Sequence, residues 1–145
     1  MRRLHNFLRL AAGDRRLVIE TTLLLLLVRL GLWLIPYDRL HSFLFRKNDT
    51  QNQRPRGRQQ SLRSITRAVT RMSRYVPAAT CLTRALVTLV LFERYGHVGH
   101  LRIAVAKNPG GNLEAHAWVE SHGHIVIGSR KDLGRFTVLR PVQEA

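Results

Sequence analysis

Apolar residues recur at helical spacing from Arg15 to about Leu34, and that period predicts a long helix. Its middle, Leu23 to Leu27, is apolar on every side, so neighbours must cover it. Gly13-Asp14 reads as a break before it, with the Asp14 carboxylate accepting an orphan backbone N–H. Pro36 ends this helix and suits the first turn of a short one, through Phe45, that presents Tyr37, Leu40, Phe43 and Leu44. Residues 46–60 (RKNDTQNQRPRGRQQ) have no apolar anchor and read as a loop or linker. Ser61 caps the next helix, to about Tyr75, with Leu62, Ile65, Val69 and Met72 on one side. Its other stripe, Arg63, Arg67, Arg71 and Arg74, reads as a solvated face, with a docking face for an acidic peptide or partner as the functional alternative.

After Pro77 the pattern resumes as a helix from Cys81 to Tyr95. Thr80 is its N-cap, Gly96 closes it, and Leu82, Ala85, Leu86, Leu89, Val90 and Glu93 mark its inner side. The period then changes from helical to alternating. Leu101, Ile103 and Val105 alternate with Arg102, Ala104 and Ala106 as a strand. Asn108-Pro109-Gly110-Gly111 is a turn. In the strand Leu113–Glu120, the residues Leu113, Ala115, Ala117 and Val119 share one face, and Glu114, His116, Trp118 and Glu120 share the other. His122-Gly123 is a hairpin turn, a strand from His124 to Ser129 follows, and Phe136, Val138 and Leu139 supply one more.

Composition narrows the class. The chain of 145 residues is of single-domain length, and a 45% hydrophobic content is enough for a packed core. The net charge of +15 favours acidic partners without choosing among peptide, nucleic acid and anionic membrane. Only Lys47, Lys107 and Lys131 are lysines, the other basic residues being arginine. Glu20 and Arg29 interrupt Leu17–Ile35, and no small-residue cleavage site follows it, so it reads as a buried helix or one resting against a membrane face. A single cysteine excludes a disulfide scaffold and fits a reducing, cytoplasmic setting.

That cysteine carries the chemistry. Cys81 opens a helix, where unpaired N–H groups favour negative charge and hence a thiolate. His116 lies on a strand further on and is the candidate general base. Taken alone, a buried small cysteine and a satisfied strand histidine are the commoner readings of each. The ordered pair, with Trp118 following, points to a cysteine nucleophile and its base. Continuing the hairpin register places Ser129 opposite His116, where an acidic residue would hold the imidazole. Asp132, three residues on, and Glu114, on the His116 face, are the acidic candidates nearby. His97-x-x-His100 has the spacing of a metal site, but no second cysteine accompanies it, and neither metal nor cofactor is expected.

The run Cys81-Leu82-Thr83-Arg84-Ala85-Leu86, then Arg94-Tyr95-Gly96, Leu101-Arg102-Ile103-Ala104-Val105, Ala115-His116-Ala117-Trp118-Val119-Glu120 and Gly123 resembles the transglutaminase-like leader peptidases of lasso-peptide biosynthesis, in their stand-alone form. The leucine-rich N-terminal part resembles that family's N-terminal extension. The resemblance implies an α+β papain/transglutaminase-like fold with a Cys-bearing helix on an antiparallel sheet. Residues 1–45 would be a helical extension, 46–60 a polar linker and 61–145 the peptidase core. It implies Cys81 as nucleophile and His116 as base, with the family's acidic residue falling at Ser129, where it is missing, and Asp132 as its stand-in. Implied partners are a precursor peptide with its leader, a leader-binding protein and an ATP-dependent macrolactam synthetase. The alternatives are a non-enzymatic basic module for peptide or nucleic acid, and a membrane-surface protein. Few aromatics interleave the arginines, which disfavours single-stranded nucleic acid.

Overall fold

The computed structural model describes residues 12–44 and 60–139. Helix α1 (Ala12–Leu34) is followed by α2 (Tyr37–Leu44), α3 (Leu62–Met72) and α4 (Cys81–Tyr95). The strands β1 (His100–Lys107), β2 (Leu113–Ser121), β3 (His124–Ile127) and β4 (Thr137–Val138) form one antiparallel sheet in the order β3-β2-β1-β4. A short 3-10 turn, Leu133–Arg135, precedes β4. This is the α+β architecture expected of the sequence. Met1–Leu10 and most of the 46–60 segment lie outside the described residues.

Helix α1 has no break at Gly13-Asp14. The helix runs through them, and Asp14 sits in its first turn, where a carboxylate suits the positive end of the helix dipole. One side of α1, with Leu17, Leu25 and Val28, is buried in the same core as Ile65 and Val69 of α3, Leu86 and Leu91 of α4, and Val119 and Ile127 of the sheet. The N-terminal helix therefore shares the core of the sheet-bearing part. A polar staple reinforces that packing: Arg94 pairs with Glu20, and the Tyr95 hydroxyl donates to Glu20 Oε2 at 2.7 Å. Burial, and then the bond to Glu20, pushes the Tyr95 hydroxyl up to about 12.

Among the described residues, nothing covers the opposite side of α1. Ile19, Leu23, Leu26, Leu27, Leu30 and Leu34 recur at helical spacing, and Leu27 is 62% and Trp33 74% exposed. The span Asp14–Leu34 is long and apolar enough to cross a membrane by length and composition.

The caps of the two central helices are those read from the sequence. Ser61 Oγ accepts from Ser64 N–H at 3.1 Å, and α3 ends at Met72 rather than Tyr75. Thr80 Oγ1 accepts from Thr83 N–H at 3.2 Å. Helix α4 is covered almost all round: Thr83, Val87 and Thr88 are buried along with Ala85, Leu86, Leu91 and Phe92, whereas Glu93 is exposed. The expected inner stripe is too narrow because two helices, α1 and α3, and the sheet all pack on α4. Gln60, the last residue of the expected linker, is buried, and its carbonyl is bonded to His97 Nε2 at 2.7 Å.

The hairpin of β2 and β3 differs from expectation in one respect. His122 and Gly123 both adopt positive φ, as a two-residue type I′ turn requires. Pairing starts as expected, with Ser121 opposite His124 and Glu120 opposite Ile125. A bulge then puts Val119 opposite Ile127, one residue out of the expected register. The strand stops at Ile127 instead of Ser129, so Ser129 is not the partner of His116. The physical reason is Gly128, whose φ of +84° turns the chain out of the ladder.

Candidate active site

Cys81 is the first residue of α4, a free thiol, half-buried against the core between helices and sheet. Among the described residues its sulfur has no hydrogen-bond partner. One turn on, the Nε of Arg84 is enclosed and likewise without an acceptor. A buried unpaired guanidinium nitrogen is costly, and an anion beside it would remove that cost. Reading the sequence gave Arg84 no role, although its position three residues after Cys81 puts both on one helix face.

His116 is on the side of β2 that faces away from α4. The neighbouring residues of the strand, Ala117 and Val119, belong to the helix-side core. Ala104, Ala106, Trp118 and Phe136 form a separate cluster on the other side. The His116 ring is buried there, stacked on Trp118 with centroids 6.0 Å apart and tilted against Phe136 at 5.8 Å. Its Nε2 lies 2.7 Å from the Gly128 carbonyl oxygen. A carbonyl only accepts, so Nε2 carries the hydrogen and Nδ1 holds the free lone pair. The carbonyl thereby fixes the tautomer, a task the sequence reading assigned to an acid.

Gly128 is needed at that point on two counts. Its φ is in the left-handed region, and a Cβ there would come within 2.8 Å of the Ala117 carbonyl oxygen and the Trp118 Cβ. The signal was present in the sequence, since a lone glycine inside a strand pattern marks a bulge or a close backbone approach.

The two acidic candidates are engaged elsewhere. Asp132 is gripped by Arg130, with bonds of 2.9 and 3.0 Å, and by Arg135 at 2.8 Å. Glu114 takes Arg135 at 2.6 Å and Arg130 at 3.3 Å. Both arginines lie over the Phe136 ring, 4.7 and 5.3 Å from its centroid, so the clamp holds down the ring that tilts against His116. Arg135 first, and Arg130 after it, draws the Asp132 carboxyl down to about 2 and lowers that of Glu114. Further along the same face, Glu120 accepts from the Trp118 indole N–H at 2.9 Å and from Arg102 at 3.2 Å, and both hold its carboxyl below the usual range. Ser129 is exposed.

The structure thus brings His116, Trp118, Phe136 and Gly128 together, with the Arg130/Arg135 clamp above them. It does not join Cys81 to His116 by a hydrogen bond, and their packing partners lie on opposite sides of β2. His97 is tied to Gln60 and packs edge-on to Phe92, while His122 and His124 lie at the exposed hairpin turn. Among the described residues, no three His, Cys, Asp or Glu side chains gather as a metal site would require.

A capped helix packed on a four-stranded antiparallel sheet is the α+β layout of a transglutaminase-like core. The chain belongs to the transglutaminase-like superfamily, whose profile matches residues 24–141. The match begins inside α1, in keeping with the place of that helix in the common core. No curated protein and no solved structure matches the chain.

Proposed function

We propose that this protein is a thiol peptidase that removes the leader from a ribosomally made lasso-peptide precursor, ahead of ring closure by a separate macrolactam synthetase. The superfamily commonly holds cysteine peptidases and transferases. The observation that carries the hydrolytic reading is the His116 ring, fixed by Gly128 as the Nε2–H tautomer with Nδ1 left to accept a proton. In this reading the Cys81 sulfur attacks the scissile carbonyl carbon as its proton passes to His116. The C–N bond breaks, His116 returns the proton to the leaving amine, and water hydrolyses the thioester. Asp132 acts at one remove, by holding Arg130 and Arg135 over Phe136. This reading requires a rearrangement on peptide binding that brings the Cys81 sulfur to the His116 ring, because their packing partners lie on opposite sides of β2. The precursor, a leader-binding protein that delivers it and the synthetase are the partners of this reading, and the cytoplasm is its compartment. The resemblance of the Cys81–Leu86 and Ala115–Glu120 segments supports the lasso-peptide assignment.

The test is cleavage of a precursor peptide followed by mass spectrometry. Cys81→Ala should abolish cleavage with an unchanged melting temperature, and His116→Gln should lower kcat/KM by about 10²–10⁴-fold. Cleavage that survives Cys81→Ala in pure protein would sink the proposal.

The uncovered side of α1 favours a second, compatible role at a membrane surface. The helix is tied to the domain through Leu17, Leu25, Val28 and Glu20, so it would lie along the interface instead of crossing it, with Trp33 at the headgroup level. Vesicles containing anionic lipid should capture the chain, and Leu23→Ser with Leu27→Ser should release it. Capture unchanged by those substitutions would remove this role and leave the peptidase reading intact.

A further inference from the structure

Four arginines outside α3 have a carboxylate partner. Arg94 has Glu20, Arg102 has Glu120, and Arg130 and Arg135 share Glu114 and Asp132. On α3 the arrangement is the reverse. Arg63, Arg67 and Arg71, with Arg74 just past the end of the helix, are exposed and have no ion-pair partner among the described residues, and the helix has no acidic residue of its own. Like charges four residues apart on a helix repel. These four line a cleft of about 380 Å³, together with the Thr66 and Thr70 hydroxyls, and Val126 of β3 also borders it.

Spacing selects the form of the anion. Arg63, Arg67 and Arg71 are four residues apart, which is about 6 Å along a helix. Alternate residues of an extended peptide are about 6.5 Å apart. Carboxylates at every second position of such a peptide therefore meet successive guanidinium groups, which bind carboxylates in a two-pronged, planar way. The side chains between them point the other way or rest against aliphatic Val126. No aromatic residue lines the cleft, so a nucleic-acid strand would find no stacking platform there. The sheet order makes β3 an outer strand, and among the described residues no further strand lies beyond it.

We infer that the cleft between α3 and β3 is a binding site for an extended acidic peptide with carboxylates at alternate positions. The inference goes beyond the peptidase reading and does not depend on it, because binding is measured on a chain that cannot cleave.

The experiment uses the full chain with Cys81→Ala and three fluorescein-labelled ten-residue peptides, read by fluorescence anisotropy. One has aspartates at alternate positions, one has the same aspartates in a block, and one has asparagines in their place. The alternating peptide should bind several-fold more tightly than the block, and the asparagine peptide should not bind. Raising salt should weaken binding, as for any multi-charge contact. Arg67→Gln with Arg71→Gln should lower affinity at least tenfold, whereas Arg39→Gln on α2 should leave it unchanged. Absent binding, equal affinity for all three peptides, or indifference to the double substitution would overturn the site. So would tighter capture of a labelled DNA strand, or of anionic vesicles, through the same arginines. Precursor cleavage that survives Cys81→Ala, with acidic-peptide binding intact, would strike the peptidase reading alone.

Discussion

The two faces of β2 are built from neighbouring residues and obey different physics. Toward α4 the strand presents Ala117 and Val119, which meet Phe92, Leu91 and Leu86 in a dry aliphatic core. Away from α4 it presents Glu114, His116, Trp118 and Glu120, each with a named polar or aromatic partner. On the first face stability comes from volume and contact, and any missing atom leaves a void. On the second it comes from oriented hydrogen bonds and half-exposed ion pairs, which contribute little to folding but fix direction. The difference separates what holds the chain together from what aims the imidazole, and substitutions on either side should separate the same way.

The largest effect should come from the helix side. Phe92 is 1% exposed and among the largest fully buried side chains. Phe92→Ala should cost about 3–5 kcal/mol, read by urea denaturation. A loss below about 1 kcal/mol would mean that the helix–sheet core is not where stability resides, and the contrast between the faces would fail. Next comes Gly128→Ala, which attacks the junction of the two faces. A positive φ and the close approach to Ala117 and Trp118 should cost roughly 1–3 kcal/mol and displace the carbonyl that holds His116. Ser129→Ala, one residue on and exposed, should change neither stability nor cleavage. If Ser129→Ala were the more damaging, the bulged register would be wrong and the regular hairpin right.

That register shows where sequence reasoning reached its limit. The caps at Ser61 and Thr80, the bounds of α4, the alternation of β1 and β2 and the two-residue turn at His122-Gly123 were all legible, because each rests on a local preference with a distinctive residue. The bulge in β3 was not. Ile125, Val126 and Ile127 are all apolar, so no alternation marks which of them points inward, and Gly128 alone hinted that the ladder is irregular there. The carbonyl of Gly128 was invisible for a related reason, since a backbone group serving as orienting acceptor has no side chain to announce it. The outer stripe of α1 was legible as apolar but not as uncovered, because coverage depends on which neighbours fold against it. For the same reason α4 reads as amphipathic in sequence yet is buried nearly all round.

The smallest effect expected is also the one that best distinguishes aiming from holding. Arg135 and Arg130 pull the Asp132 carboxyl from 3.8 down to about 2. A carboxyl depressed by folding stabilises the native state above its unfolded value and loses that contribution as pH falls through its folded one. Asp132→Asn should therefore melt slightly below the parent at pH 7, and the gap should close between about pH 4 and pH 2. Because the group is half-exposed, added salt should narrow the gap as well. With the clamp loosened, Phe136 packs less firmly on His116, so cleavage should fall modestly, in step with the melting temperature. A steep loss of kcat at pH 7 with an unchanged melting temperature would put Asp132 on the imidazole itself. In that case the Gly128 carbonyl would be a resting-state partner that the acid replaces when peptide binds, and the outer face of β2 would have two arrangements where the structure records one.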